Sequence, residues 1–500
     1  MQFNSNSDYP EAEARPPPPF TPAVIEHSAC ITTRVFFPRT HTVEMVPNVL
    51  VKTDLPAYEV DFDGNRIDSQ ATNTGADDDS FFSYMSSSDG SVDTSKQTGA
   101  GAKKNSENEH KQIDRAFWIQ RTLRDAIYGK VKYAVVLKRI NPDNVPPNQV
   151  VEWEVTNEAC AIKEQSWQQI RKDRHRFAEN PLQEVAAMQY LYNYYKNWNA
   201  MQQNNQFDIH RIIVESHVMM PIDILTDDRF LYCVMPYCNG GELFDRLDQY
   251  NKLPEDECRY WLDQILCAIE TLQKIGICHR DLSLENLLVH NDKLCLIIDL
   301  GMCIRVPFQC DPQTQNIVDH IEDMTLDIEP TPLAPGATYA ASAMEQTNTV
   351  DDQAFSFSQA INNPNNHERN RKRERYLLQP SGTCGKRLYM APEIEQNEKP
   401  FDGFAVDMWA VGIILFLMLT GFNPWERPCS SDERFHFMTN GYLVQMLSEW
   451  NLGLSPDVLD LLQRMLWIDP KDRLSLEQVR AHPWMVTGRK APPAIRLLPR

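Results

Sequence analysis

The chain has no closely paired cysteines, no apolar stretch long enough to cross a bilayer and no surplus of positive charge. Its 12 cysteines stand singly in apolar segments, without a C-x-x-C pair or a regular spacing. Zinc and a disulfide framework are therefore not expected, and reduced core cysteines of an intracellular protein are. The longest apolar run, Met408 to Leu419, falls short of the roughly 18 residues a membrane helix needs. No membrane span is expected. The opening MQFNSNSDYPEAEARPPPPF lacks the apolar core of a secretory signal. With 49 basic against 69 acidic residues the net charge is -20, the wrong sign for a general nucleic-acid or anionic-membrane binder. No nucleic-acid partner is expected, and a basic protein partner or substrate is the natural one.

A length of 500 residues admits two or three units of about 150 each. Residues 1–112 begin with a proline run and continue through a stretch rich in Ser, Asp, Gly and Asn, with few large apolar residues to bury. No fold is expected there. Within it, DFDGN at 61–65 resembles the start of a calcium loop, but Gly64 is the fourth residue where the sixth is needed, and Thr72 stands in place of the closing Glu. A second polar segment, 311–375, is acidic first and ends in RNRKRER; it interrupts an ordered body spanning 113–485 and is expected to be a disordered insert. The last residues, 486–500, read as a short basic tail.

The first half of the ordered body reads as strands followed by one helix. VKYAVVLKR and EACAIKE are β-branched and apolar runs separated by the turn-rich NPDNVPPNQ. In ENPLQEVAAMQYLYNYY, Asn180 can cap a helix whose first turn holds Pro181, and Ala187, Met188 and Leu191 form a stripe at helical spacing. The second half reads as mostly helical. Leu262, Ile265, Leu266, Ile269 and Leu272 share one helix face ending near Gly276, and AVDMWAVGIILFLMLTG is apolar all round, as a helix buried on every side would be.

Phosphoryl transfer needs a carboxylate to orient a hydroxyl, a divalent metal to neutralise phosphate charge and a cation to hold the nucleotide. HRDLSLEN at 279–286 supplies Asp281 and Asn286, and LCLIIDLG ends in Asp299 and the permissive Gly301. Asp281 would orient the acceptor, with Asn286 and Asp299 as oxygen ligands for magnesium. These residues resemble the catalytic and metal-binding loops of the eukaryotic protein kinases, and YMAPE at 389–393 with DMWAVG at 407–412 extends the likeness over roughly residues 117 to 485. The resemblance implies an α+β, two-lobed fold: a small β-rich lobe with one helix at about 113–235 and a larger, mainly α-helical lobe at about 236–485. It implies ATP and Mg2+ as cofactors and serine or threonine hydroxyls of proteins as acceptors.

Residue by residue, the likeness places Lys163 on the nucleotide phosphates and Glu184 as its ion-pair partner. Gly129, Val131, Ala161, Met235, Pro236, Cys238 and Glu242 would line the nucleotide cleft, Met235 gating its back and Pro236 and Cys238 offering backbone groups to adenine. Glu393 and Arg473 match a buried structural ion pair. Glu242 and Glu285 match positions that face arginines ahead of the acceptor, and GGELFDRL with AHPWM is most similar to the calcium/calmodulin-dependent kinase group. Ser381 and Thr383 lie where a phosphate would pair with Arg280. The N-terminal region or the insert would receive a regulatory partner. A cytoplasmic location follows, with RNRKRER as a candidate nuclear address.

The chain departs from the family pattern in three places. The glycine-rich loop falls on Arg124, Ala126 and Gly129, so one glycine remains; Arg124 would replace part of the lost phosphate contact by charge. The loop between VKYAVVLKR and EACAIKE is long. Ser283 stands where the family carries a catalytic lysine, while Lys386 stands where it carries a threonine. The expectation is an exchange, in which the Lys386 ammonium reaches the transferring phosphate and Ser283 supplies a hydroxyl to Asp281, because stabilisation depends on where charge sits and not on which segment delivers it. The competing reading is a silent nucleotide-binding or protein-binding scaffold.

Overall fold

The computed structural model describes residues 14–67, 115–140, 153–201, 208–307 and 375–492. The expected disorder of 68–112, and of the insert apart from its last residue, falls outside these.

Residues 14–67 correct the expectation that nothing before 113 folds. They carry β1 (Ala14–Arg15), β2 (Ala23–Phe37), β3 (Thr42–Lys52), β4 (Tyr58–Val60) and β5 (Arg66–Ile67). The strands β6 (Arg115–Ala126), β7 (Gly129–Arg139), β8 (Trp153–Ser166), β9 (Asp223–Thr226) and β10 (Phe230–Pro236) follow. The sheet runs β3-β6-β7-β8-β10-β9-β2, and because β2 also pairs with β3, it closes on itself. Closure leaves those strands without the open edges that invite pairing with other chains. One interior cluster joins Val35, Val46 and Val49 to Ala116, Leu137 and Trp153. The N-terminal hairpin is thus built into the core of the small lobe. The DFDGN stretch makes a turn between β4 and β5 in which Asp61 Oδ1 accepts the N–H groups of Asp63 and Asn65 at 2.8 Å each.

Strand alternation sorts the rest of that sheet. Phe117, Ala134, Val136, Cys160, Ile162, Tyr232 and Val234 pack on one face. Lys163 and Ala161, which are out of phase with Cys160 and Ile162, fall on the other.

Three helices accompany the strands: α1 (Trp167–Asp173), α2 (Pro181–Met201) and α3 (Ile209–Ser216). The first begins at Ser166, whose hydroxyl accepts from Gln169 N. The second is the expected helix, and Asn180 Oδ1 caps it by accepting from Leu182 N at 3.0 Å and Gln183 N at 3.3 Å. Short caps of this kind typically stabilise a helix by about 1 kcal/mol.

The large lobe holds α4 (Leu243–Tyr250), α5 (Glu255–Lys274) and the helix Gly403–Thr420 at its centre. The expected face of α5, Leu262 through Leu272, is buried, with each of the five named residues at most 1% exposed. Against the expectation from the length of its apolar run, the helix Gly403–Thr420 is, alone among the described residues, long and apolar enough to cross a membrane, but it is enclosed by the lobe. Arg473 closes the base on Glu393 with bonds of 2.8 and 3.2 Å, the buried pair expected from the sequence. Short antiparallel pairs, β11 (Ile277–Cys278) with β14 (Ile304–Arg305) and β12 (Leu287–His290) with β13 (Leu294–Ile297), carry the loops that face the small lobe. A final short strand, β15 (Leu377–Leu378), pairs in parallel with β1.

Ile25 is fully buried among residues of the main core. Ile25→Ala is expected to lower the unfolding free energy by about 2–5 kcal/mol, the usual cost of a buried Ile truncation, read as a shift in urea midpoint at constant slope. A shift below about 0.5 kcal/mol, typical of surface positions, would mean that the N-terminal strands do not belong to the core.

Candidate active site

The site forms where β8, α2 and the loop after β13 meet. Lys163 Nζ lies 2.6 Å from Glu184 Oε2, 3.3 Å from Glu179 Oε1 and 3.9 Å from Asp299 Oδ2. Burial alone would lower the pKa of this amine, but the carboxylates of Asp299, Glu184 and Glu179 hold it well above its ordinary value. Lys163 stays an ammonium. Burial pushes Glu184 up to about 7 against the pull of Lys163, and raises Glu179 as well. Burial would also raise Asp299, yet Lys163 and the Gly301 N–H hold it below the usual carboxylate range. Three carboxylates whose oxygens lie within 4.8 Å of one another thus share one cation.

That surplus of negative charge suits a divalent cation. Asn286 donates its amide hydrogens to the Asp281 carbonyl at 2.7 Å and to Asp281 Oδ2 at 2.9 Å, which reserves its Oδ1 as a ligand atom. Asp299 and Asn286 are then hard oxygen donors of the type magnesium takes, and the residues present fit the ion.

The catalytic loop is held by its backbone. Asp407, buried in the helix Gly403–Thr420, accepts the N–H of His279 at 2.8 Å and of Arg280 at 2.9 Å. Arg280 and Asp299 both adopt left-handed backbone conformations, with φ of 64° and 67°. For a residue with a Cβ this costs on the order of 1–3 kcal/mol and persists only where surrounding bonds enforce it. The Asp407 bonds do so at Arg280. The Arg280 side chain then donates to Met302 O at 2.8 Å and to Ser381 Oγ at 3.1 Å, joining the catalytic loop to the chain beyond the insert.

Lys386 meets Asp281 through both its backbone and its side chain. Its backbone N–H donates to Asp281 Oδ1 at 2.9 Å, and its Nζ stands 3.6 Å from Asp281 Oδ2 while donating to Ser283 Oγ at 2.7 Å. Lysine and serine therefore touch. The expected hydroxyl contact between Ser283 and Asp281 does not occur among the described residues; the buried Ser283 oxygen receives the ammonium, and the main chain of Lys386 takes the place beside Asp281.

Of the residues expected to line the nucleotide cleft, Val131 stands opposite Lys163 in register and Met235 opposite Ala161, on the sheet face of Lys163, whereas Pro236 pairs with Cys160 of the other face. Cys238 is buried just beyond, where the chain crosses to the large lobe. Two expectations for the glycine-rich loop need revision. The hairpin turns tightly through Ile127 and Tyr128, and a Cβ on Gly129 would strike the Glu164 carbonyl, so this glycine is required by strand packing. Arg124 pairs with Glu242, so its charge is engaged by that carboxylate.

Three residues that shape the site went unassigned in the sequence. Asp407 lies inside the DMWAVG stretch, and a buried acid in an apolar helix was a usable signal. Glu179 precedes a capped helix, where an acid is ordinary. Tyr128, at 1% exposure, donates its hydroxyl to the Glu179 carbonyl at 2.9 Å and so fixes the hairpin to the entrance of α2; nothing in the sequence distinguishes it.

The two lobes bring together a buried lysine–glutamate pair, a paired aspartate and asparagine, and an aspartate at the end of a strand. The model of the protein kinase domain matches residues 154–319 and 355–485, more than half of the chain; the chain belongs to the protein kinase domain family. The match begins after the β6–β7 hairpin, the part whose glycine pattern has eroded. The chain is 25% identical over 287 residues to a maternal embryonic leucine zipper kinase of Xenopus tropicalis, covering 57% of this chain and 33% of that protein. It is 26% identical over 280 residues to the serine/threonine-protein kinase SAPK6 of Oryza sativa subsp. japonica, covering 55% and 58%. It is 28% identical over 268 residues to the serine/threonine-protein kinase unc-51 of Caenorhabditis elegans, covering 54% and 24%. The chain thus spans between a quarter and three-fifths of the length of these relatives.

Because Arg124 is engaged by Glu242, Arg124→Ala is expected to leave ATP affinity within about twofold in a fluorescence titration, the scale of an exposed ion pair. A loss of about tenfold or more would place Arg124 on the phosphates.

Proposed function

We propose that the chain transfers the γ-phosphate of ATP to serine or threonine hydroxyls of proteins. The observation that carries this reading is the closed Lys163–Glu184 pair, joined to Asp299, together with Asp281 bonded to Asn286, so that both metal-ligand positions hold oxygen donors. A kinase active site requires that pair and that aspartate together.

In this reading Lys163 binds the nucleotide phosphates, and Asp281 accepts a hydrogen bond from the acceptor hydroxyl and takes its proton as the phosphate is transferred. Asn286 and Asp299 would hold magnesium, which when bound neutralises phosphate charge. The Lys386 ammonium, 39% exposed and close to Asp281, supplies the cation that Ser283 cannot. Its position supports the exchange reading over independent loss. Ser283 anchors that ammonium from below. A preference for basic residues before the acceptor would require an incoming arginine to displace Arg124 from Glu242. The silent-scaffold alternative is favoured by one feature, the tight hairpin at Ile127–Tyr128 in place of a glycine flap over the phosphates.

The test is transfer of labelled γ-phosphate to a basic serine/threonine peptide, with Asp281→Asn as control. Wild-type signal abolished by the control is expected; equal signal in both, or ATP binding without transfer, would move the reading to the scaffold. Lys386→Thr is expected to reduce kcat on the order of 10²–10³-fold, as loss of a preorganised charge does, and adding Ser283→Lys should recover at least about tenfold of it. Absence of recovery would break the exchange. A phosphate on Ser381 is expected to raise activity through Arg280, measured with phosphorylated protein and cancelled in Arg280→Ala.

A further inference from the structure

Residues 14–25 lie outside the region that matches the kinase domain, yet they contact α2, β14 and the segment beyond the insert. At its start, β1 pairs with Leu377–Leu378, and Gln379 donates from its backbone to Arg15 O at 3.1 Å and from its side chain to Ala14 O at 3.0 Å. This is the chain that leads on to Ser381 and Lys386. Next, the Pro19 carbonyl accepts from Arg305 at 3.0 Å, on the strand that follows Asp299. Phe20, 6% exposed, then sets its ring edge-on to Tyr190 of α2 at 5.8 Å.

The last contact is the most specific. Val24 donates its N–H to Gln189 Oε1 at 2.9 Å and accepts from Gln189 Nε2 at 2.6 Å. One carboxamide thereby satisfies both backbone groups of one strand residue, as a neighbouring strand would. A pair of bonds in a fixed plane sets both the rotation and the height of α2 against the sheet. Further along the N-terminal region, the Phe62 carbonyl accepts from Asn180 Nδ2, the cap of α2, at 3.4 Å, and Asp63 pairs with Arg174 at the end of α1. Glu184 lies between these two anchors. Its carboxylate meets Lys163 at 2.6 Å only while α2 is held toward the sheet.

We propose that residues 14–25 form a built-in strap that positions α2, with Phe20, Val24 and Gln189 as positioning residues for the Lys163–Glu184 pair. Through β1 and Arg305 the strap joins that helix to the segment beyond the insert, so that both halves of the site are set by one piece of chain. The effect on turnover rests on the phosphoryl-transfer reading; the effect on α2 does not.

The experiment uses the full chain and compares wild type with Gln189→Met, which keeps length and removes both bonds, and with Phe20→Ala. Amide hydrogen exchange across residues 184–195 is expected to accelerate roughly tenfold or more for the loss of two hydrogen bonds, while exchange in the helix Gly403–Thr420 stays unchanged. In the transfer assay kcat is expected to fall, by up to about a hundredfold for a misplaced catalytic pair, with the peptide KM unaltered. Unchanged exchange in α2, or acceleration equal across the whole chain, would overturn the strap and leave residues 14–25 as ordinary packing. A wild type that transfers no phosphate would overturn the kinase reading alone, and the exchange comparison then decides the strap.

Discussion

The buried ammonium of Lys163 is the constraint around which the rest of the structure is arranged. An unpaired charge in a protein interior costs several kcal/mol even after relaxation, so a lysine at 7% exposure can be kept only if opposite charge reaches it from outside its own strand. Here it comes from Glu179, two residues before α2, from Glu184 in the first turn of α2 and from Asp299 in the loop after β13. Three separately encoded segments must therefore converge on one point. The helix cap at Asn180, the hairpin fixed by Tyr128 and the N-terminal contacts at Val24 all place α2 where that convergence occurs.

The lower half of the cleft answers to a second buried charge. Asp407 stands within the most apolar helix of the molecule, where desolvation raises its pKa and the His279 side chain and the backbone N–H groups of His279 and Arg280 oppose the rise. Those bonds hold Arg280 in a backbone conformation it would otherwise avoid, and they point the loop so that Asp281 meets Asn286 on one side and Lys386 on the other. The loop that carries Asp281 is thus held by the Asp407 carboxylate through backbone bonds. Its strain is sustained by packing far below the cleft.

The contact between Lys386 and Ser283 shows why charge location matters more than chain position. Nζ lies 2.7 Å from the serine oxygen and 3.6 Å from the aspartate, so the cation occupies the space next to Asp281 although it enters from a segment more than a hundred residues away. The field at the aspartate depends on that distance, which is why the exchange is physically admissible. Arg124 carries the opposite lesson. Its charge reads from sequence as a phosphate contact, yet in the fold it pairs with Glu242.

Much of the large lobe was legible because its signals are local. The stripe of α5, the all-apolar helix at 403–420 and the order of the HRD-like, DLG and APE stretches depend on spacing within single segments. Lys163, Glu184, Asp281, Asn286 and Asp299 could be named for the same reason, since each sits in a recognisable stretch. The N-terminal strands were missed although AVIEHSACITTRVFF is rich in β-branched residues, because the proline run before it and the polar stretch after it dominate the composition. Strand formation there depends on partners as distant as Leu225 and Trp153, which no local window contains. By itself the sequence marked the helices and strands whose signals are local, among them α2, α5 and the helix Gly403–Thr420, and named candidates for the chemistry. Only the tertiary structure decided that Glu179 joins the lysine, that Arg124 faces Glu242 and that Gln189 meets Val24, because each is a contact between segments whose separation folding alone removes.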